Sequence, residues 1–359
     1  MKTKRILLTI AAITLLFTIL SGQQKGSLME RGYFQSFHFV FWNLENFFDT
    51  KSDMVSTQTE KESNQSEIGS ALQEFSAFGK MRWGRRRFVA KRDAIAKTIM
   101  DMGEGSFPLF VGVAEIENRY VLNSLIYDSP LSFGKYGIIH KDSPDSRGID
   151  VALLYRRDLF RVLAADFIRV VLPDTARTTR DILYARGVVD NLDTLHILIN
   201  HWPSKFGGEK LSRPAREAAA YALKRVCDSI LDVNSMANII VAGDFNDTPD
   251  SEPMKLLSRL VNLAGRFHAD KQGTIKYRGV WELIDQILVS ENLLNKDEPV
   301  YTEPSNFSIF KAPYLLERDK AFTGLKPKRT YIGPRYNGGV SDHLPVRLLI
   351  YFYTFAPCM

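Results

Sequence analysis

The chain has 359 residues with 45% hydrophobic, 25% charged and 11% aromatic content, which is ordinary globular usage and far from that of disordered chains. Its 23 glycines and 15 prolines are too few for a collagen-like or low-complexity protein, and its one long uncharged apolar run lies at the N-terminus, which excludes a polytopic membrane protein. The formal net charge is +6, and two cysteines, Cys227 and Cys358, supply neither a disulfide framework nor the ligand spacing of a zinc site.

In chain order, Lys2, Lys4 and Arg5 precede fifteen apolar or threonine residues, 6–20, and then Ser21 and Gly22. This pattern predicts a signal peptide over 1–22 and an exported, periplasmic or extracellular protein. An uncleaved N-terminal anchor is the alternative, because Leu20 is a poor residue before a cleavage point. Removing the three leader cations leaves a net charge of +3. The remainder, 23–359, reads as one domain, with 49–79 as an exposed insertion or loop because it is rich in Ser, Thr, Gln, Asn and Glu and weak in apolar periodicity. Lys80, Arg82, Arg85, Arg86, Arg87, Lys91 and Arg92 then crowd together, either as a solvated helix face or as a surface that meets phosphates. Phe88, Ile95, Ile99 and Met102 share one helical face. Beyond them, short apolar runs at 37–42, 109–114, 151–155, 195–199, 239–242, 284–289 and 344–351 predict buried strands, and helices are expected over 215–231 and 252–260. The sequence contains no internal repeat of 20 to 50 residues, so solenoids and propellers are excluded.

The chemistry-bearing residues stand where those runs begin or end. Asn43 and Glu45 follow the first run, Glu115 the second, Asn200 and His201 the fourth, and Asp244 and Asn246 the fifth. Asp150 precedes the third, Asp285 lies in the sixth, and Asp342 with His343 precedes the seventh. One polar residue at a strand end is normally a turn or cap. Seven such ends in one chain point instead to convergence. Carboxylates brought close raise one another's pKa unless a cation compensates them, and all-oxygen ligands suit Mg²⁺, Mn²⁺ or Ca²⁺ better than zinc. Two histidines with carboxylate partners add acid and base chemistry near neutral pH, which together with a hard metal equips a site to attack a phosphate ester with water.

The ordered segments 42–46, 114–118, 147–155, 200–204, 243–246, 284–285 and 341–345 resemble the motif set of the endonuclease/exonuclease/phosphatase family, over about 37–351. The Asn-His-Trp-Pro-Ser loop and the Lys328-Arg329-Thr330-Tyr331 segment resemble its secreted bacterial members. The resemblance implies an α/β fold, a four-layer sandwich of two mixed sheets packed face to face with helices on both outer faces, and an active site at one edge. It also implies Glu115 as principal metal ligand with Asn43 and Asp342, and Asp285 orienting His343 as general base or phosphate-polarising imidazole. Asp244 and Asn246 would place the attacking water. His201 would bind a phosphate oxygen or protonate the leaving group, with Asp150 against it. Asn200, Lys205, Arg216, Arg329 and Tyr331 complete the expected set as substrate contacts. Gln286 departs from the pattern, standing where many relatives carry His or Tyr.

The expected activity is that of a divalent-metal-dependent phosphodiesterase, a nuclease acting on DNA or RNA, working as a monomer without a partner protein and without stable membrane association once the leader is removed. The basic clusters at 80–92 and 326–336 favour nucleic acid. A sphingomyelinase-like or inositol-phosphate activity is the competing enzyme reading, and 307–316 is its best candidate for an apolar hairpin. A catalytically silent binding module should have lost some of Glu115, Asp244, Asn246, Asp342 or His343, and all are present.

Overall fold

The computed structural model describes residues 33–50, 74–190 and 192–354. The expected signal peptide, most of the expected insertion and Cys358 lie outside the described residues. The chain runs β1 (Tyr33–Phe47), α1 (Arg85–Met102), β2 (Phe110–Ile116), α2 (Arg119–Tyr127), β3 (Tyr136–His140), β4 (Asp150–Arg156), β5 (Phe160–Ile168), β6 (Ile182–Val189) and β7 (Asp193–His201). It continues through α3 (Glu209–Val233), β8 (Asn238–Asp244), α4 (Glu252–Lys255), β9 (Val261–Asn262), α5 (Gly265–Ala269), β10 (Ile275–Tyr277), β11 (Val280–Glu282) and β12 (Asp285–Val289). Last come β13 (Val300–Ile309), the short strands β14 (Leu316–Arg318), β15 (Leu325–Pro327), β16 (Tyr331–Ile332) and β17 (Arg335–Tyr336), and β18 (Val346–Thr354).

Two six-stranded mixed sheets form, ordered β13-β18-β1-β2-β4-β3 and β5-β6-β7-β8-β12-β9. The runs that read as continuously apolar are strands with both faces covered. Along β7, Ile197 and Ile199 join one core cluster and Leu198 the other; along β8, Ile240 and Ala242 join the first, Ile239 and Val241 the second. The first cluster fills the space between the sheets and runs on to Phe88, Ile95 and Ile99 of α1 and Val121 and Leu125 of α2. The second lies under Ala219, Leu223 and Leu231 of α3. Helices therefore cover both outer faces, as the four-layer reading expects. At Gly112 in β2 a Cβ would sit 2.7 Å from Ile199 Cδ1 of the facing sheet, so any larger residue there would have to displace that side chain.

Two helices differ from their sequence reading. α3 begins at Glu209, ahead of the alanine-rich stretch, and runs through Pro214, which forgoes one backbone bond, to the Lys210 carbonyl. The expected helix at 252–260 stops at Lys255, and tight turns (Leu256 N–H to Pro253 O, Leu260 N–H to Leu257 O) carry Met254, Leu257 and Leu260 into the second core instead. The flanks of the expected insertion are also less exposed than anticipated: Asp49 is buried, and Phe75 packs at 4.8 Å from the Phe48 ring.

Candidate active site

Strand polarity explains why scattered residues meet. β1 and β2 are parallel, as are β7 and β8, so Asn43, Glu115, His201 and Asp244 all lie at C-terminal strand ends on one rim. β12 and β18 run antiparallel to these, so their starts, Asp285 and the 341–343 turn, reach the same rim. His201 is the register partner of Asp244, and Asp244 of Asp285. The 341–343 turn is fastened to β1 of its own sheet by Ser341 Oγ, which donates to the Asn43 carbonyl at 2.6 Å, and by Trp42 Nε1, which donates to the His343 carbonyl at 2.9 Å, while Asn43 Nδ2 to Asp244 at 3.0 Å and His343 Nδ1 to Asp285 at 2.7 Å link the two sheets across the rim.

Asp244 is the centre of the group. One of its oxygens accepts from Asn43 Nδ2 at 3.0 Å, and the other from the Asn246 N–H at 2.9 Å, a contact made possible by Asn246 at φ 50. Burial pushes the Asp244 carboxyl up to about 7, with Asp285 adding to the rise and His343, Asn246 and Asn43 opposing it. His343 gives Nδ1 to Asp285 at 2.7 Å, leaving Nε2 to face the site 3.9 Å from Asp244. Burial disfavours its charge, but Asp285 and Asp244 prevail and hold the imidazole well above its usual range. His201 Nε2 is 3.6 Å from Asp244 and 3.8 Å from Glu115, while its buried Nδ1 has no hydrogen-bond partner among the described residues. Burial, Arg180 and Arg147 hold His201 well below its usual range, so these two approaches are contacts of a neutral ring and not ion pairs.

Glu115 stands at a break in β2 with φ 58; Oε2 accepts from the Asn46 N–H at 3.0 Å, and Oε1 is 4.0 Å from Arg147 Nη1. Asp342 is half exposed and pairs with Arg329 at 3.0 Å. Arg329 also reaches Glu45 at 2.9 Å, and Glu45 takes the Thr330 N–H at 2.6 Å. Burial, then the Asp342 charge, pushes Glu45 up to about 7, against Lys91 and Arg329. The Lys91 ammonium is itself buried, which lowers it to about 8, and it donates to the Glu45 carbonyl and to Thr330 Oγ1.

A divalent cation fits this rim on the chemistry of its donors. Glu115 keeps Oε1 free of hydrogen bonds among the described residues, Asp342 gives Oδ2 to Arg329 and keeps Oδ1 on the site side, 3.9 Å from His343 Nε2, and carboxylate repulsion between Asp342 and Glu45 is of the kind a cation relieves. Among the described residues, Asp244, Asp285 and His343 also bring one ligand atom each within 4.8 Å, as do His140, Asp142 and Asp150.

The structure thus gathers Asn43, Glu115, His201, Asp244, Asn246, Asp285, Asp342 and His343, with Arg329 and Lys205 at the edge, the last 3.5 Å from Glu282. Four expected residues are elsewhere engaged. Asp150 pairs with His140 at 3.1 Å and the Ser143 N–H at 2.7 Å, not with His201. Asn200 is fully buried and accepts from Trp202 Nε1 at 3.2 Å. Arg216 is fully buried between Asp247 and Glu209, at 2.7 Å from each, and fixes the start of α3. Tyr331 is buried against Phe75 and Trp83 and donates to the Met81 carbonyl at 2.9 Å. Its partner Arg87 sits 4.6 Å over the Tyr336 ring, so this part of the two basic segments is used in packing. Segment 307–316 is no exposed hairpin: Phe307 and Ile309 are buried in β13, paired with β18.

Sequence reasoning missed Lys91, Arg147 and Arg180. Lys91 carried a signal, since it falls between Phe88 and Ile95 on the buried face of α1. Arg180 carried none: it binds Asp145 at 2.8 Å, the His201 carbonyl at 3.1 Å and the Trp202 carbonyl at 2.6 Å from a loop remote in sequence.

The profile of one family, Endonuclease/Exonuclease/phosphatase, matches residues 38–352. The chain belongs to the endonuclease/exonuclease/phosphatase family. No curated protein matches it in sequence. Solved structures share the fold at low identity. A family protein from Bacteroides thetaiotaomicron is 14% identical, with a TM-score of 0.51, covering 89% of this chain and 99% of that one. D. rerio TDP2 humanized by 14 mutations is 12% identical (TM-score 0.52; 88% and 98% covered), and the human Nocturnin catalytic domain with bound sulfate is 15% identical (TM-score 0.51; 90% and 98% covered). At such identities the likeness is one of fold. No helix among the described residues is long and apolar enough to cross a membrane.

Proposed function

We propose that this member of the family is an exported, divalent-metal-dependent phosphodiesterase that hydrolyses nucleic acid. The observation that carries the reading is Asp244, held by Asn43 and the Asn246 N–H between two imidazoles of opposite charge preference. Glu115, Asp342 and Asn43 would hold Mg²⁺ or Mn²⁺. When bound, the cation supplies Lewis-acid stabilisation of phosphoryl charge.

The chain's own groups do the rest. Asp244, with a pKa near 7, takes a proton from the attacking water; the new P–O bond forms as the bond to the leaving oxygen breaks, and that oxygen takes its proton from solvent water. Asn246 and Asn43 fix the carboxylate that aims that water. His343, kept charged by Asp285, offers Nε2–H to a phosphoryl oxygen; this favours the phosphate-polarising role over that of general base. His201, neutral and with Nε2 toward the site, acts as a hydrogen-bond donor to a phosphoryl oxygen; that its Nδ1 has no hydrogen-bond partner among the described residues supports this over a leaving-group acid.

The purified chain with Mg²⁺ or Mn²⁺ is expected to cleave plasmid DNA or RNA and bis-p-nitrophenyl phosphate, and excess EDTA to abolish turnover. Glu115→Gln should cost about 10²-fold or more, the scale of losing a key electrostatic group. Full activity in chelator, or a wild-type rate in Glu115→Gln, removes the reading. D. rerio TDP2 has been solved with a single-strand DNA product, in keeping with a nucleic-acid substrate. Burial of Phe307, Ile309 and Leu315 takes away the apolar hairpin that a sphingomyelinase-like reading wanted.

A further inference from the structure

Beside the reaction centre, a cavity of about 430 Å³ opens between the 144–147 turn, the 172–180 loop and the 203–206 loop. That volume falls within the range that holds a small ligand. Its floor is rigid: Arg180 clamps Asp145 on one side and the carbonyls of His201 and Trp202 on the other, so cavity and catalytic rim are one unit. Arg147 belongs to both, lining the cavity while its Nη1 stands 4.0 Å from Glu115. Arg177, exposed on the opposite wall, has no ion pair among the described residues. Thr179 Oγ1 on the same wall is buried without a hydrogen-bond partner among the described residues. The one carboxylate in the lining, Asp145, is already engaged by Arg180 and Arg147.

The last wall is Phe206, 87% exposed. A single exposed aromatic is unremarkable by itself. Here it is followed by Gly207 at φ +82 and Gly208 at φ +101, a backbone that favours glycine and that turns the chain sharply into α3, leaving the ring at the cavity mouth. An aromatic face, the exposed Arg177 guanidinium, the part-exposed Arg147 guanidinium and hydroxyls around a ligand-sized space are the elements of nucleotide recognition: the ring stacks on a base, and arginines take a phosphate.

We propose that this cavity is a subsite for the nucleoside and phosphate adjoining the scissile diester, with Phe206 stacking on the base and Arg177 and Arg147 binding the neighbouring phosphate. The proposal rests on the phosphodiesterase reading above and adds what that site selects. It makes nucleic acid, and not a lipid, the occupant: guanidinium and hydroxyl groups stand beside one exposed ring, and the remaining apolar lining is confined to the small patches of Leu172, Ala176, Pro203 and Ala215.

The test uses single-stranded oligonucleotides in which one base at a time is replaced by an abasic tetrahydrofuran unit, with Mg²⁺ present. In the wild-type chain, removing the base at one position next to the cleaved bond should raise KM about 10-fold, the scale of one base–aromatic stack. In Phe206→Ala the intact oligonucleotide should show that same rise, and the abasic substitution at that position should then add nothing, because ring and base act as a pair. A methylphosphonate at the adjoining phosphate should be coupled to Arg177→Ala in the same way. Losses that simply multiply overturn the subsite. Turnover of bis-p-nitrophenyl phosphate with none of any oligonucleotide also overturns it while leaving the phosphodiesterase reading in place, whereas a chain inert on every diester fails at the site itself. If Phe206→Ala instead weakens sedimentation with sphingomyelin and phosphatidylcholine vesicles and leaves oligonucleotide KM unchanged, the ring meets lipid and the proposal is wrong.

Discussion

His343 and His201 face one carboxylate oxygen of Asp244, at 3.9 and 3.6 Å, from the two sides of the same rim, and the fold favours the charged ring at the first and the neutral ring at the second. Both are buried, and burial alone would neutralise both. At His343 the Asp285 carboxylate at 2.7 Å outweighs that cost. At His201 the corresponding nitrogen has no partner among the described residues, and Arg180 and Arg147 add to the cost. The role of an imidazole in this site is thus set by what lies behind the ring, two bonds from the chemistry, and not by the strand end that presents it.

The largest effect should come from the charged ring. His343→Ala and Asp285→Asn should each lower kcat on a natural diester by about 10²- to 10³-fold, the scale of losing a charge-stabilising donor to a phosphoryl oxygen. As a unit, the pair should lose no more in the double variant than in the worse single variant. Two losses that multiply would mean that Asp285 does not act through His343, and the comparison would break.

His201→Ala should cost less, about 10-fold, as a neutral hydrogen bond to a phosphoryl oxygen. It should cost the same on an oligonucleotide as on bis-p-nitrophenyl phosphate, since a group that donates no proton to the leaving oxygen gains nothing from an activated ester. Rescue on the activated ester would make His201 the leaving-group acid and erase the proposed difference between the rings.

How far the sequence reveals this site follows the same division. Strand-end residues were legible because polarity in a sheet of buried strands delivers C-terminal and N-terminal ends to one rim, and the apolar runs mark those ends. Asp285 and His343 were paired correctly because the family motif contains both. The partner of Asp150 was not legible: His140 lies on β3, whose residues Tyr136 to His140 include only a short apolar run, and the register of β3 on β4 decides the contact. Edge strands β5 and β13, and β6 beside β5, were missed for a related reason, since β5 is exposed or half-buried beyond Phe160 and β13 carries polar residues through its middle. Asn200 and Arg216 looked like substrate contacts because polar residues beside a catalytic motif usually face solvent; here each is consumed by its own loop or helix start.

The smallest effect isolates burial from catalysis. His196 lies on β7 five residues before His201, away from the rim, with Nδ1 at 2.8 Å from Tyr184 Oη. Burial, then Arg186, lowers it to about 4, against about 6.5 in the unfolded chain. Because the folded value is the lower, the unfolded state binds the extra proton first: the stability tied to neutral His196 is fully present above about pH 6.5 and is lost as pH falls through about 4. The ring is partly solvent-screened, so the effect on Tm between pH 7 and pH 4.5 should be small, about 2 °C. His196→Gln removes the titration and keeps a polar partner for Tyr184. Its Tm should therefore fall less than that of the wild-type chain over this interval, while hydrolysis at pH 7.5 is unchanged. Parallel Tm curves for the two proteins would show that burial at this position does not set the ring's charge, and would weaken the same argument for His201.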